Sequence, residues 1–466
     1  MASSSETFLQ LDAHFITGVT RPTTWRRKQL EGLHDLIQEN TDSLVKAALQ
    51  DSRLVPGEVL LELTSILSLI RTSIQTLITS NPSTKSATVD ILGLYKQRQK
   101  ITKLENPVGV VLINSHWAFP YSTTLGSLAF ALVAGNVAAV LPPPTLSSTL
   151  PALLSKYLDQ LAYAILTPSS LSKPHLHNIE ALPSPSITPI NIHPSSGSIS
   201  LNSSSSSTNA GLSAVYVNET ALKLKSAKAI ASDIVQAKVA FNGASNFTPS
   251  IVFVDESVYE DVVKEITFAA REYGIGRTGG GEEVKRLVES LVENGAKVLS
   301  SGVLYVVEDD SRKLGKINGS LPFLMVTRVP SPDTAIDRIQ GLSRLSGFYL
   351  YVHHPKFSKY ITKFIDSTLT LTNSIPPHIL LSSSSPTLSL SQTIITTTPS
   401  PLASPSTDKL RDVIRKANIG RLRVDEGPGT RMDFFEQVKL AYRSVQVVGV
   451  LSVGLGVWGV YRRFTR

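Results

Sequence analysis

Pro107-Val-Gly-Val-Val-Leu-Ile113 is a short apolar run without polar alternation, the texture of a strand covered on both faces. Helical character follows from Ser122 to Ala134, and Gly135-Asn136 closes that stretch. Val137-Ala-Ala-Val-Leu141 then forms a second apolar run. Strand, helix and strand within about 35 residues make a βαβ unit, which predicts a parallel sheet and a right-handed crossover. The chain is therefore read as α/β.

Before this unit the sequence predicts helices. Trp25-Arg-Arg-Lys-Gln-Leu30 opens a segment in which Leu30, Leu33, Leu36 and Ile37 recur at three- and four-residue spacing. From Pro56 onward, Val59, Leu60, Leu63, Ile66, Leu67 and Ile70 share one side, a face expected to pack on the rest of the fold, and Asn81-Pro82 is the stop. After the unit the pattern loosens. Residues 166–208 are rich in Ser and Pro, ending in the Ser203–Ser207 run, and read as a loose linker or an eroded region. Order returns at Ser213-Ala-Val-Tyr-Val217, with a helix over 221–240, a strand at Ile251-Val-Phe-Val254, helices over 258–273 and 282–294, and a strand from Lys297. Further α/β units reach about Thr372. Residues 382–406 are rich in Ser, Thr and Pro, and an amphipathic stretch spans 431–443.

At 466 residues with 42% hydrophobic content, the chain can bury several cores rather than one. It contains no cysteine, which removes disulfides, thiolate metal sites and thiol nucleophiles together. The formal charge of +8 suits solubility or an anionic membrane surface. No Lys/Arg run carries interleaved aromatics, so no nucleic-acid partner is expected. The N-terminus lacks a basic and an apolar region, so no signal peptide is expected. Val445 to Tyr461 is different: seventeen residues without charge, with Arg443 before and Arg462, Arg463 and Arg466 after. As a helix they would extend roughly 25 Å against a hydrocarbon core of roughly 30 Å. Trp458 and Tyr461 would lie in the aromatic belt, with arginines at both ends. The stretch also suits a buried strand or helix, and its glycines at 449, 454, 456 and 459 weaken a helix in water. The expectation is a membrane protein with a single C-terminal anchor and a cytosolic body.

Several local sequences point to one family. Leu104-Glu-Asn-Pro-Val-Gly-Val-Val-Leu-Ile113, Trp117-Ala-Phe-Pro120 and Ala134-Gly-Asn136 resemble the start of the nucleotide domain of aldehyde dehydrogenases. Arg21-Pro, Trp25-Arg26, Asp51 and Pro56-Gly-Glu58 resemble the class 3, fatty-aldehyde branch, as does the hydrophobic tail. Val254-Asp-Glu-Ser-Val-Tyr259 and Ser331-Pro-Asp-Thr-Ala-Ile336 are similar to stretches that follow the family's catalytic loop and its second glutamate.

The resemblance implies an aldehyde dehydrogenase-like fold with a Rossmann-like nucleotide domain and a second α/β domain. In outline, 1–103 is a helical N-terminal part, 104–208 a degenerate nucleotide-type domain and 209–380 the catalytic-type domain. Residues 381–430 are a low-complexity return segment, and 431–466 the amphipathic stretch and tail. The family's ancestral cofactor is NAD(P), and its members commonly form dimers, so a homodimer or a pair with an active relative is expected.

In that family a cysteine thiolate attacks the aldehyde, hydride passes to the nicotinamide, and a glutamate activates the hydrolytic water. Here the corresponding loop reads Phe241-Asn-Gly-Ala-Ser-Asn-Phe-Thr-Pro249 and places Asn246 at the cysteine position. His116-Trp-Ala-Phe-Pro120 places Ala118 where an asparagine amide would stabilise the oxyanion, a donor that can contribute ~3 kcal/mol. Pro142 falls at the lysine beside the cofactor ribose, Thr208 at the general base, and Lys316 at a glutamate that holds the nicotinamide ribose. The family's F-T-G-S nucleotide loop has no counterpart within 166–208. Five changed stations imply no thiol-dependent oxidation. The expectation is a protein that binds or scaffolds, with a lipophilic small molecule as one ligand class. The alternatives are a repurposed non-redox enzyme of secondary metabolism using the old substrate tunnel, or residual NAD(P) binding without turnover.

Other constellations have simpler explanations. Ser245 adjoins the lost nucleophile but has no evident base, so it is read as a turn-capping hydroxyl. His175, His177 and His193 lie in Ser/Pro-rich sequence without an acidic partner, and no metal is expected. His353-His354 reads as a strand end, and Gly279-Gly-Gly281 as a flexible turn lacking the Walker pattern.

Overall fold

A computed structural model describes residues 4–50, 54–79, 86–89, 99–102, 107–166, 187–192, 199–200, 212–273, 282–309, 321–342, 345–381, 393–396 and 406–417. Four helices lead: α1 (Ser4–Thr17), α2 (Thr23–Glu39), α3 (Thr41–Ala48) and α4 (Pro56–Thr79). The apolar faces foreseen on α2 and α4 are buried in one cluster, with Leu30, Leu33, Leu60, Leu63 and Ile70 at 0% exposure. Next come β1 (Ser86–Val89) and β2 (Gln99–Thr102), paired antiparallel.

The βαβ unit is present as β3 (Val110–Asn114), a π turn over 122–126 running into α5 (Ser127–Ala134), and β4 (Val137–Leu141). β3 and β4 pair in parallel from Val110↔Val137 to Asn114↔Leu141. α6 (Thr149–Tyr157), β5 (Tyr163–Ile165), β6 (Ile187–Ile192) and β7 (Ile199–Ser200) follow. Among the described residues these strands form a sheet of order β5-β4-β3-β6-β7. The order reverses beside β3, a topological switch point of the kind at which doubly wound sheets hold ligands.

The second sheet uses β8 (Leu212–Val217), α7 (Ala227–Val239), β9 (Ile251–Asp255), α8 (Tyr259–Tyr273), α9 (Glu282–Glu293), β10 (Lys297–Ser300), β11 (Tyr305–Glu308) and β12 (Phe323–Val329). It continues with α10 (Pro332–Gln340), β13 (Leu345–Tyr351), α11 (Pro355–Phe364), β14 (Ser367–Thr372), α12 (Pro377–Leu380), β15 (Thr393–Thr396) and α13 (Thr407–Lys416). Its order is β10-β11-β12-β9-β8-β13-β14-β15, parallel except where β10 meets β11. The molecule is an α/β protein with a Rossmann-like first sheet and a helical N-terminal part.

Two stretches read as irregular contain strands. β6 lies within the Ser/Pro-rich 166–208 segment and pairs with β3 from Val110↔Ile187. β15 lies within 382–406 and pairs with β14. In each, a few β-branched residues beside a strand already in place suffice, because pairing with it satisfies their backbone groups. A further difference is the helix foreseen over 221–240, which is a 3₁₀ turn over 219–223 followed by α7, started by the Ser226 side chain accepting from Ala229 N.

The apolar tail with Val445, Trp458 and Tyr461 lies outside the described residues. Among the described residues, no helix is long and apolar enough to cross a membrane.

Candidate functional site

The residues shared with the family motif carry packing. Gly135 has φ +84°, and a Cβ there would lie 2.6 Å from the Arg26 guanidinium. That guanidinium donates to Thr20 O at 3.0 Å and Val133 O at 3.2 Å. Asn136 Oδ1 accepts from Val108 N at 2.7 Å and Gly109 N at 2.9 Å, which fixes the chain's entry into β3. These residues build the turn between α5 and β4 whether or not any reaction follows.

The stations of the chemistry are partly brought together. Ala118 lies in the loop after β3 and Asn246 in the loop between α7 and β9, and both are buried. The two loops meet through Phe119 and Phe241, whose ring centroids are 4.9 Å apart, within one core cluster that also contains Ala118 and Ala244. Pro142 is buried just past the end of β4. Thr208 and Lys316 lie outside the described residues, as do His175, His177, His193 and Gly279–Gly281.

The Asn246 loop is tied down at several points. Ser213 Oγ donates to Asn246 O at 2.6 Å and accepts from Gly347 N at 3.0 Å. Tyr349 Oη donates to Phe247 O, and burial pushes that phenol well above its usual range. Ser245 Oγ accepts from Phe247 N at 3.2 Å, the turn-capping role foreseen for it, and donates to Leu380 O at 2.7 Å. Asn246 is 3% exposed, and its Oδ1 is buried without a hydrogen-bond partner among the described residues. An amide held this way offers neither a nucleophile nor an open approach to one.

Two ionisable groups lie buried beside this region. Lys238, in the last turn of α7, reaches Ser250 Oγ at a long 3.5 Å, and burial lowers its pKa from 10.5 to about 7. Glu62 of α4 accepts from Tyr121 N at 3.0 Å at the start of the helix after β3. Burial holds its carboxyl well above the usual carboxylate range, although the Tyr121 and Ser122 amides oppose that.

Phe241 and Asn242 have φ values of 50° and 54°, and Gly243 follows at 72°. Three consecutive left-handed residues turn the chain sharply out of α7. Only glycine adopts this conformation without steric cost, so the turn is held by outside contacts. The Glu58 carboxylate supplies one, accepting from Phe241 N at 2.9 Å.

On the far side of Phe241 lies a cavity of about 390 Å³ between the start of α4, the end of α7, α12 and α13. Its apolar wall includes Val55, Leu61, Ala237, Phe241, Ile375 and Leu380. Its polar wall is Glu58, Asp233, Gln236 and Tyr273. Asp233 is engaged from behind by Lys225 Nζ and by Tyr351 Oη at 3.2 Å. Gln236 Nε2 donates to Tyr273 Oη at 2.6 Å. Neither Asn246 nor Ala118 lines this cavity. The sequence reading missed it because its wall comes from segments scattered along the chain, from Val55 to Leu410. The one local signal was the Pro56-Gly-Glu58 triplet.

With the fold and this region in view, the comparisons are consistent. The solved structure of Staphylococcus aureus AldH in a substrate-bound state superposes with a TM-score of 0.59 at 18% identity, over 82% of this chain and 87% of that one. A benzaldehyde dehydrogenase from Corynebacterium glutamicum gives 0.57 at 14% identity, over 80% and 87%. The fold is that of the aldehyde dehydrogenases. The aldehyde dehydrogenase family model matches residues 18–162. Over part of its length the sequence is similar to family 3 aldehyde dehydrogenases. The chain is 29% identical over 169 residues to family 3 member B1 of Bos taurus, covering 35% of each. It is 31% identical over 161 residues to member A2 of Mus musculus, covering 34% of this chain and 33% of that one. The matched segment therefore spans about a third of the length of these relatives. It holds Arg26, Gly135 and Asn136, residues that position the first sheet.

Proposed function

We propose that this protein uses the aldehyde dehydrogenase framework to bind rather than to oxidise, holding a lipophilic small molecule in the cavity beside Phe241. The observation that carries the reading is the absence of any cysteine in the chain, together with the enclosure of Asn246 where a nucleophile would stand. A thiolate forms near neutral pH and a carboxamide nitrogen does not attack carbonyls, so the parent reaction has no first step. Ala118 adds no hydrogen-bond donor for an oxyanion. Pro142 cannot replace a lysine at a cofactor ribose, and no residue of this chain is assigned to a nicotinamide cofactor.

The remaining cavity is of ordinary ligand size, mostly apolar and with a few convergent polar groups. The uncharged stretch from Val445 to Tyr461, with arginines on both sides, supports tethering of the body to a membrane, where lipophilic ligands concentrate.

The test is full-length protein in mild detergent, incubated with aliphatic and aromatic aldehydes and either NAD or NADP. Formation of reduced nicotinamide should equal the protein-free control. Aldehyde-dependent reduction above that control would overturn the reading.

A further inference from the structure

We propose, resting on the tethering of the body to a membrane, that α11 (Pro355–Phe364) docks on an anionic lipid surface. The helix, PKFSKYITKF, carries three lysines and no Asp or Glu. Ile361 and Thr362 are buried and seat it on the fold. Lys356, Lys359 and Lys363 recur at three- and four-residue spacing and are exposed. One position on runs a second stripe, Phe357, Tyr360 and Phe364, with successive ring centroids 6.3 and 5.2 Å apart. Phe357 is half-buried, whereas Tyr360 and Phe364 are 44% and 42% exposed.

Cations beside aromatic rings suit a helix lying in a membrane interface, with the rings at headgroup level and the ammonium groups among lipid phosphates. Lys356 shares a hollow with Glu219 and Asp255, and the Tyr360 hydroxyl donates to Asp333 at 3.0 Å. Lys359, Lys363 and Phe364 therefore supply the main contact. Lys363 Nζ lies 5.8 Å from the centre of the Phe364 ring, so charge and ring reach a surface together. Each lysine near an anionic surface favours partitioning by roughly fivefold, too little to retain a free protein. The uncharged stretch from Val445 to Tyr461 would keep the body beside the bilayer, and at that effective concentration a weak contact is populated. Such proximity selects lipid over soluble polyanions.

Because the chain has no cysteine, one introduced thiol reports on this face alone. Full-length Phe364→Cys, labelled with nitrobenzoxadiazole, is reconstituted into vesicles of phosphatidylcholine alone or with phosphatidylserine added. Fluorescence should rise about threefold on the anionic vesicles, fall back in high salt, and stay low on the neutral ones. Lys359→Glu with Lys363→Glu should abolish the rise, with flotation on both vesicles and the circular dichroism spectrum unchanged. Protein that floats with the anionic vesicles without a rise would overturn this inference and leave the tether standing. Flotation with anionic vesicles alone, lost in the double variant, would keep α11 as the docking face and remove the tether. Flotation with neither would remove both. An equal rise on soluble polyglutamate or polyuridylate would also overturn the inference and assign the face to a soluble polyanion.

Discussion

Glu58 Oε1 and the Phe241 amide, 183 positions apart in the chain, are joined by a 2.9 Å hydrogen bond. That contact anchors the left-handed turn that swings the Phe241 ring against Phe119. Phe241 lines the cavity and shares a core cluster with Phe119, Ala118 and Ala244.

Phe241→Ala removes a ring that is 1% exposed, and large-to-small changes of this kind cost about 3–5 kcal/mol. Left-handed strain remains, since alanine gains nothing there over phenylalanine. Urea unfolding should show a midpoint lowered by a loss of that order with an unchanged slope. A change below about 1 kcal/mol would mean that the ring fills no space of consequence.

Restoring a thiol should not restore chemistry. Asn246→Cys, alone or with Ala118→Asn, is expected to give no aldehyde-dependent nicotinamide reduction. The new thiol would inherit the burial of Asn246, so alkylation by iodoacetamide should be roughly 100-fold slower in the folded protein than in denaturant. The same change removes a carboxamide oxygen buried without a partner, an arrangement that costs about 1–3 kcal/mol, so the variant should be at least as stable as the parent. Rapid labelling of the native state would show that the loop opens.

Lys238 gives a pH signature. Its pKa is lowered by burial from 10.5 to about 7 in the folded chain, so between those values the unfolded chain binds more protons. Stability from this group therefore rises with pH across that window and is flat below about 7, where both states are protonated. Lys238→Met should exceed the parent in stability at pH 7, by a margin that shrinks as pH approaches 10. Equal differences at pH 7 and pH 9.5 would contradict the burial of a charged group at this position.

The contrast between legible and hidden parts follows from where the information lies. β3, β4 and β9 were readable because strands covered on both faces are written as continuous apolar runs. α4 was readable because its buried side repeats at helical spacing. β6 was not, since Pro189 interrupts the run and Ser/Pro-rich sequence surrounds it, while its pairing to β3 is a tertiary contact. α1 was not legible as a helix in the sequence, although Phe8 and Leu11 pack against β3 and β4. Of the site, the lost reactive groups were visible as single letters. The Glu58–Phe241 contact and the cavity were not, because Glu58, Asp233 and Phe241 converge only in space.

α13 lines the cavity through Leu410, packs on α4 and is tied to α2 by the Gln38 side chain. Gln38 Nε2 donates to Ile414 O at 3.2 Å, Arg415 O at 2.8 Å and Ala417 O at 2.9 Å, capping carbonyls that a helix end leaves unpaired. Arg411 adds an ion pair to Asp42 at 3.4 Å, but both groups are solvent-exposed and such pairs contribute little. Gln38→Ala should therefore loosen α13 while leaving the sheets intact. Losing one to two net hydrogen bonds, at about 1 kcal/mol each, corresponds to roughly a tenfold rise in the local opening constant. Hydrogen exchange should accelerate by about that factor over 407–417 and stay unchanged over β8 and β9. If exchange over 407–417 is unaltered, Leu410 and Ile414 alone seat the helix, and the glutamine has no part in holding it.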